Sequence, residues 1–313
     1  MNNIKLTGTE LNVSKIGFGC GPLGSNEWGK YDQKDTLSAV SEAYDLGINY
    51  FDTADVYGLG RSEELLGKAL GKNRHEAVIS TKFGVNWKTS KEGLRAETFY
   101  DSSPERVAKA LEDSLRRLKI ESIPLYFMHW PDPNTPLEMT LEVLSSFLDQ
   151  GKIQHIGLSN FSLEQIKEVN GILRIAAIQV QHSLIDRDLN IGLVDFCKNN
   201  NINIISYGSL AQGLLSGKYD EYFEFSEDDC RLRLPHFHGS LLKENFPLLR
   251  KLQNIADKYQ VSSSQVALRW VLEEPSISSV ITGIKNKSQL KDNIASLDWK
   301  LEEEDFNFFK RSQ

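Results

Sequence analysis

The stretch INYFDTADVY, from Ile48 to Tyr57, joins a short apolar run to a group of polar side chains. Its front, Ile48 to Phe51, is typical of the end of a buried parallel strand. Asp52, Asp55 and Tyr57 follow at once. Because α/β barrels keep their chemistry at the carboxyl ends of the strands, this stretch predicts both a strand and a functional site.

The same alternation of an apolar run, a loop and an amphipathic helix recurs along the chain. Helix starts are indicated by Ser103 before Pro104 and by a capping box of Ser162 and Gln165. Eight strands alternating with helices predict a (β/α)8 TIM barrel, an α/β fold. The predicted strands are Ile16 to Phe18, Ile48 to Phe51, Val78 to Thr81, Leu125 to Met128, Ile153 to Leu158, Ala177 to Val180, Ile202 to Ser206 and Ser279 to Ile281. The predicted helices include Lys34 to Leu46, Ser62 to Leu70, Pro104 to Leu118, Leu137 to Leu148, Leu163 to Val169, Leu189 to Asn199 and Ser262 to Leu272.

Other structures are predicted for the segments outside this alternation. A turn at Thr7 and Gly8 between alternating apolar residues predicts an N-terminal β-hairpin plug over Ile4 to Val13. The long loops Phe83 to Ser102 and Tyr219 to Asn245 carry aromatic residues and are predicted to form walls of a substrate pocket. No linker divides the chain, so residues 1–313 are expected to form a single domain.

Composition narrows the class of protein. The formal net charge is -7, and the basic residues are spread along the chain, which argues against nucleic acid or an anionic membrane as partner. Cys20, Cys197 and Cys230 are odd in number and lack metal-ligand spacing, so no disulfide framework or zinc site is predicted. No apolar segment approaches the length of a membrane span. A reduced, cytoplasmic setting is expected.

Tyr57 needs a neighbouring cation if it is to take part in chemistry. A tyrosine with a pKa of about 10 exchanges protons poorly at neutral pH, and a nearby positive charge lowers that pKa. Lys82 ends the third predicted strand, beside Asp52 at the end of the second, and His129 ends the fourth. Each group alone could be an ordinary ion pair or a capped strand end, but four on three neighbouring strands favour a catalytic site.

With these residues the sequence resembles the aldo-keto reductase family over almost its whole length, from about Lys5 to Asn293. The resemblance implies Tyr57 as the proton donor, Lys82 as the cation that lowers its pKa, Asp52 as the partner of Lys82, and His129 as the group that orients a carbonyl. The matching residues are Phe51, Asp52, Thr53, Ala54, Tyr57 and Gly58 near the second strand, and His129, Trp130 and Pro131 after the fourth.

The resemblance also implies a nicotinamide dinucleotide cofactor. The stretch GFGCGPLG, Gly17 to Gly24, lacks the helix and the acidic partner of the two-βαβ dinucleotide fold, and it is interpreted as a barrel loop whose backbone, at Gly21, approaches the nicotinamide. By similarity, Ser159, Asn160 and Gln179 bind the carboxamide, and Tyr207 stacks on the ring. Small residues and backbone N–H groups at Ser209, Leu210, Gln212 and Gly213 suit the pyrophosphate.

The segment Thr282 to Asn293 resembles the family's adenosine-phosphate loop and leads into a helix whose N-terminus suits a phosphate. Well-known members carry a lysine and an arginine where this chain has Gly283 and Gln289. Lys285 is expected to supply the charge for a 2′-phosphate instead, so NADPH is favoured while NADH remains possible. Asn293 completes the predicted cofactor set.

The substrate pocket is predicted to include Trp28, Trp87 and Trp130. The short segment after Asn293 predicts an open pocket that tolerates bulky polar substrates such as sugars. His236 and His238 form an HxH pair, but without a carboxylate or cysteine cluster no metal site is predicted.

The leading hypothesis is an enzyme, an NAD(P)(H)-dependent aldo-keto reductase that acts on the carbonyl of an aldehyde, ketone or sugar derivative, or on the alcohol in reverse. One alternative is a nucleotide-sensing auxiliary subunit with little turnover. Another is a metal-dependent barrel hydrolase with Asp52, Asp55 and His129 as ligands. The physiological substrate and the oligomeric state do not follow from the sequence.

Overall fold

The computed structural model describes residues 3–24, 28–29, 31–88, 96–187, 189–220, 223, 225, 227 and 229–311. Eight parallel strands close into a barrel in the order in which they occur along the chain, which confirms the predicted (β/α)8 fold. The described strands are β1 (Asn3–Lys5), β2 (Asn12–Ser14), β3 (Ile16–Gly19), β4 (Tyr50–Asp52), β5 (Val78–Phe83), β6 (Val85–Lys88), β7 (Glu97–Tyr100), β8 (Ile123–Met128), β9 (Ile153–Ser159), β10 (Ala177–Gln181), β11 (Asn203–Tyr207) and β12 (Ile277–Gly283).

Helices cover the outside of the barrel and bury its apolar outer face. The described α-helices are α1 (Gln33–Asp45), α2 (Arg61–Leu70), α3 (Pro104–Leu118), α4 (Leu137–Asp149), α5 (Leu163–Ile172), α6 (Ile191–Asn199), α7 (Gly239–Tyr259), α8 (Ser263–Leu272), α9 (Lys287–Ala295) and α10 (Glu303–Arg311). Short 3₁₀ helices cover Tyr57–Gly60, Gly71–His75, Ala211–Ser216, Cys230–Arg233 and Pro235–Phe237.

The N-terminal hairpin of β1 and β2 lies against the amino ends of the barrel strands. Asn203, the first residue of β11, bonds both the N–H and the C=O of Thr7. Leu6 and Val13 are fully buried in the same apolar cluster as Tyr50 and Leu125 of the barrel. The predicted plug is therefore present, and it covers the end of the barrel opposite the polar strand ends.

Several local predictions need correction. Strand β4 begins at Tyr50, because Ile48 donates its backbone N–H to Ala43 in the turn after α1. The first long loop contains the antiparallel hairpin of β6 and β7. The second contains the beginning of α7, which starts at Gly239 and continues through Pro247, residues that in sequence read as helix breakers.

Two helix starts were predicted from capping residues. The capping box of Ser162 and Gln165 is formed as expected, with N–O distances of 2.9 and 3.3 Å. Ser103 stands at the N-cap of α3, but its hydroxyl donates to Asp101 and caps no backbone N–H.

Gly58 shows why the loop after β4 needs glycine. It has a φ of +57°, and a Cβ there would lie 2.5 Å from the carbonyl oxygen of Gly24. The loop that carries Tyr57 thus packs directly on the loop after β3.

Among the described residues, no helix is both long and apolar enough to cross a membrane.

Candidate active site

The carboxyl ends of the strands converge on one cavity of about 590 Å³. Asp52 ends β4, Lys82 lies near the end of β5, His129 follows β8, and Ser159 and Tyr207 end β9 and β11. All of the predicted catalytic and cofactor-binding residues line this cavity: Gly21, Asp52, Tyr57, Lys82, His129, Ser159, Asn160, Gln179, Tyr207, Ser209, Leu210, Gln212, Gly213, Gly283, Lys285, Gln289 and Asn293.

A buried ion pair lies at the bottom of the cavity. Lys82 Nζ donates to Asp52 Oδ2 over 2.6 Å and to the backbone oxygen of Thr53 over 2.8 Å. The other carboxylate oxygen, Asp52 Oδ1, accepts from Ser80 Oγ at 2.7 Å and from Gln179 Nε2 at 2.6 Å. The pair forms because the parallel register of β4 and β5 sets Asp52 opposite Ser80, two residues before Lys82.

Tyr57 lies above this pair and beside His129. Lys82 Nζ is 5.2 Å from the centre of the Tyr57 ring, and the Tyr57 and His129 rings meet edge to face with centroids 5.8 Å apart. The structure therefore brings together all four groups that the sequence placed on three neighbouring strands.

The pKa of Tyr57 is shifted in the direction opposite to the one expected. Burial raises it above the ordinary tyrosine value, and Lys82 opposes that rise only in part. Burial also opposes the charge of Lys82, but Asp52 and Tyr57 together raise the pKa of Lys82 above its usual value. At neutral pH this geometry holds a protonated phenol next to a fixed cation, which suits a proton donor.

His129 is held in its neutral form. Burial, helped by the charge of Lys82, lowers its pKa well below the ordinary value. Its Nδ1 is buried and has no hydrogen-bond partner within the part of the chain that the structure describes. A neutral imidazole can donate one hydrogen bond to a substrate oxygen without adding a second cation to the site.

On the opposite side of the cavity, Asn160 links three strand ends. It donates through Nδ2 to the backbone oxygen of His129 at 3.0 Å and to Ser159 Oγ at 3.1 Å. Its Oδ1 accepts from the Tyr207 hydroxyl at 2.5 Å. The Tyr207 ring is thereby fixed at the cavity wall, whereas the Gln179 amide, predicted to bind a carboxamide, is engaged by Asp52.

Beyond Tyr207 the cavity wall is formed by backbone in an unusual conformation. Gln212 and Gly213 have φ values of +53° and +100° inside the 3₁₀ segment Ala211–Ser216. At the far end, Gln289 Oε1 accepts from the Lys285 N–H at 2.9 Å, and Asn286 caps the N-terminus of α9. Asn293 Nδ2 donates to Thr282 Oγ1 at 3.2 Å.

Three cationic side chains, Lys218, Arg231 and Lys285, line this far part of the cavity. Burial, with Arg231 and Lys218 nearby, lowers the pKa of Lys285 to about 8. Arg231 pairs with Asp229 and bonds the Tyr219 hydroxyl, and both Arg231 and Lys285 donate to the backbone oxygen of Trp28. Arg231 was missed from the sequence because it lies within a long loop whose course no local pattern indicates.

The predicted aromatic walls divide into two groups. Trp28 and Trp130 line the cavity, and Trp130 lies 6.1 Å from Tyr100 of the β6–β7 hairpin. Trp87 is not among the lining residues, and its ring lies instead under the guanidinium of Arg106, 5.2 Å away.

The HxH pair makes contacts with its own surroundings. His236 Nε2 lies 3.2 Å from Asp186 Oδ1, and His238 bonds the backbone oxygen of Leu232. Over the described residues, no group of three or more histidine, cysteine or acidic side chains is arranged to hold a metal ion.

With the geometry established, comparison with known proteins identifies the class. Residues 15–312 match the model of the aldo/keto reductase family. The chain therefore belongs to that family and is an NAD(P)(H)-dependent oxidoreductase acting on carbonyl compounds or the corresponding alcohols, as predicted. These comparisons give no support to an auxiliary subunit without turnover.

Three relatives cover most of the chain. Aldo-keto reductase YhdN of Bacillus subtilis is 34% identical over 97% of this chain and 91% of its own length. Aldo-keto reductase yakc [NADP(+)] of Schizosaccharomyces pombe is 32% identical over 92% and 85%. The NADH-specific methylglyoxal reductase of Escherichia coli is 30% identical over 97% and 96%.

A solved structure shows the same architecture. The glycerol dehydrogenase AKR11B4 from Gluconobacter oxydans superposes with a TM-score of 0.89 at 32% identity, covering 98% of this chain and 94% of that one.

Proposed function

We propose that this protein reduces the carbonyl of a small polar aldehyde, ketone or sugar derivative, with NADPH as the favoured cofactor and Tyr57 as the general acid. The observation that carries the proposal is the buried Lys82–Asp52 pair, joined over 2.6 Å beneath Tyr57 and next to a neutral His129. In the reverse direction the same phenol would act as the base toward an alcohol.

The cavity residues fit a nicotinamide dinucleotide. The cavity volume of about 590 Å³ lies within the range of small-molecule sites, and the cations Lys218, Arg231 and Lys285 suit a phosphate-bearing ligand. A Cβ on Gly21 would meet only one atom of Trp28, at 4.0 Å, so the backbone there is open to the cavity. When bound, the nicotinamide ring would supply or accept the hydride.

In this proposal each part of the wall holds one part of the cofactor. Ser159 and Asn160 would bind the carboxamide, and Gln179, whose Nε2 is held by Asp52, would contribute through its amide oxygen. The fixed ring of Tyr207 would support the nicotinamide. Backbone N–H groups at Ser209, Leu210 and Gln212 would face the pyrophosphate, and Gly213, whose own N–H donates to the Leu210 carbonyl, would let the backbone approach it. Gly283, Lys285, Gln289 and Asn293 would hold the adenosine end.

The protein's own groups then handle the developing charge on the substrate oxygen. His129 would donate a hydrogen bond to that oxygen, and the Tyr57 hydroxyl would donate a second and transfer its proton. Lys82 would stabilise the phenolate left behind, because it is fixed by Asp52 and by the Thr53 carbonyl.

The choice between cofactors rests on the far end of the cavity. One relative is named for NADP(+) and another as NADH-specific, so the family uses both. The grouping of Lys218, Arg231 and Lys285 supports the extra phosphate of NADPH here.

The substrate class is proposed from the aromatic and polar residues that line the cavity. Trp28 and Trp130 offer aromatic faces in the same cavity as hydroxyl and amide side chains, a combination that suits a sugar or another polyol-like carbonyl. A reduced, cytoplasmic setting is proposed as well, because Cys20 and Cys197 are buried free thiols.

Tyr57→Phe tests the proposal. Without the phenolic proton, turnover with NADPH and a panel of small aldehydes and sugars should fall by about 10²- to 10⁴-fold. NADPH affinity, followed by tryptophan quenching, should stay within about twofold, because the variant keeps the ring and the cofactor wall. Full turnover in this variant would contradict the assignment of Tyr57.

A further inference from the structure

A second buried ion pair, between Asp55 and Arg106, lies behind the catalytic loop and outside the cavity. Arg106, in the first turn of α3, donates from Nη2 to Asp55 Oδ2 over 2.7 Å. The Arg106 and Asp55 side chains are only 11% and 1% exposed. Neither residue lines the cavity described above.

Asp55 belongs to the turn that carries Tyr57. The Tyr57 N–H donates to the carbonyl of Ala54 at 3.1 Å, so Asp55 lies within the turn closed by this bond. The Asp55 N–H donates to the carbonyl of Lys82 at 3.3 Å, while Lys82 Nζ bonds Thr53. The backbone of the turn is thus attached to β5, and its side chain at Asp55 attaches it to α3.

The hydrogen-bonding groups of the pair are incompletely satisfied, so the pair is a poor source of stability. Asp55 Oδ1 and Arg106 Nε are buried and have no hydrogen-bond partner among the described residues. A buried, partly unpaired ion pair contributes little net stability, and such pairs can instead fix one conformation. Trp87 packs against the Arg106 guanidinium, so the β6–β7 hairpin also restrains it.

We propose that the Asp55–Arg106 pair sets the position of the Tyr57 phenol, which makes Arg106 a positioning residue for proton transfer. This inference rests on the proposed function for its kinetic consequences. Its structural basis is the short turn: the pair with Arg106 holds the Asp55 side chain, and a shift of the Asp55 backbone would be passed on to Tyr57, because only Val56 lies between them.

The charges around Asp55 make the expected effect of an Arg106 substitution depend on pH. Burial raises its pKa to about 7; Arg106 and Arg117 act to lower it, and Glu63 to raise it. Tyr126 of β8 also faces this group. Removing Arg106 would raise the pKa of Asp55 further, so the carboxyl would be neutral at low pH and an unpaired buried anion at high pH.

The decisive variants are Arg106→Met, Asp55→Asn/Arg106→Met and Arg106→Lys, compared from about pH 6 to about pH 9. In Arg106→Met we expect kcat to fall at least about tenfold at the high end and less at the low end, with NADPH affinity within about twofold. The double variant should lose this pH dependence, and Arg106→Lys should recover part of kcat. Arg116→Met is the matched control, because Arg116 lies on the same helix with its side chain 68% exposed.

Two outcomes distinguish this inference from the proposed function. If Tyr57→Phe abolishes turnover but Arg106→Met keeps wild-type kcat at every pH, the positioning role is wrong and the proposed function stands. If Tyr57→Phe keeps turnover, the proposed function fails, and NMR of carbon-labelled tyrosine decides the positioning role. An unchanged Tyr57 resonance in Arg106→Met would then overturn it. Should Arg106→Met not fold, wild-type kcat in Asp55→Asn would overturn it equally.

Discussion

The buried pair of Lys82 and Asp52 has two effects that variants can separate. In Lys82→Met the Asp52 carboxylate stays buried with only Ser80 and Gln179 as donors, so the free energy of unfolding should fall by about 3–5 kcal/mol. Turnover should fall as well, because no cation remains to stabilise the phenolate of Tyr57. Urea unfolding and kinetics measure the two effects.

The double variant Asp52→Asn/Lys82→Met serves as the control. It buries no unpaired charge, so it should regain much of the lost stability while turnover stays low. Restored turnover in the double variant would show that Lys82 acts only by neutralising Asp52.

Lys285 is expected to select for NADPH in a pH-dependent way. Its pKa of about 8 means that the ammonium is present at pH 7 and is lost as the pH rises through that value. Lys285→Ala should weaken NADPH binding about tenfold, or about 1.4 kcal/mol, and leave NADH binding nearly unchanged. Wild-type preference for NADPH should also decline above about pH 8, as tryptophan quenching can follow.

Lys287→Ala is the matched control for this variant. Lys287 lies two residues away, pairs with Glu42 and does not line the cavity. Equal effects of the two variants on NADPH binding would remove Lys285 as a selective contact.

The residues of the candidate site and its surroundings were predictable from sequence to different degrees. Asp52, Lys82 and His129 could be placed because each stands at the end of a short apolar run, and adjacent parallel strands bring such ends together. Arg106 and Arg231 could not be found this way. Their positions depend on how α3 and the loop before α7 pack, and no local spacing records that packing.

Among the elements, strands were easier to predict than the segments between them. Helix α7 was read as loop up to Asn245 because Gly239 and Pro247 normally interrupt helices, yet the helix buries Phe246, Leu252 and Ile255. Tertiary packing of that apolar face outweighs the local penalty. The β6–β7 hairpin was missed because its residues on β7 are all exposed and give no alternating pattern.

His182 connects β10 to the packing of α8 and α10, and it makes stability depend on pH. It is 2% exposed, stacks on Trp270 with centroids 5.1 Å apart, and neither ring nitrogen has a partner among the described residues. Burial lowers its pKa below 6.5; Glu274 and Asp186 oppose this effect, and Lys310 adds to it. His182 therefore binds a proton more readily in the unfolded chain than in the folded chain. As a result, it lowers the free energy of unfolding as the pH falls below about 6.5.

His182→Phe should reduce this acid sensitivity. The free energy of unfolding is measured with urea between about pH 6.5 and about pH 5. In wild type it should fall by up to about 1.4 kcal/mol per pH unit more than in the variant. His75→Gln, at an exposed position, is the control and should retain the wild-type profile. Parallel profiles for wild type and His182→Phe would exclude His182 as the source.

For the whole molecule, the regular alternation of strand and helix determined the strand order that the structure shows. Right-handed crossovers between parallel strands leave a single arrangement once all eight strands are recognised. That arrangement places the proposed catalytic groups at one end and the hairpin plug at the other. That residues 1–313 form a single domain stays a prediction.

The separation of the two ends predicts that stability and catalysis can be changed independently. Leu6 is fully buried where the hairpin meets the amino ends of the strands, far along the barrel from Tyr57. Leu6→Ala should lower the free energy of unfolding by about 2–5 kcal/mol through lost burial and a residual cavity. Its kcat and NADPH affinity, measured well below the unfolding temperature, should match wild type. Ile191→Ala, at a position 78% exposed, should change neither quantity. A fall of kcat in fully folded Leu6→Ala would show that the plug is coupled to the catalytic end through the barrel interior.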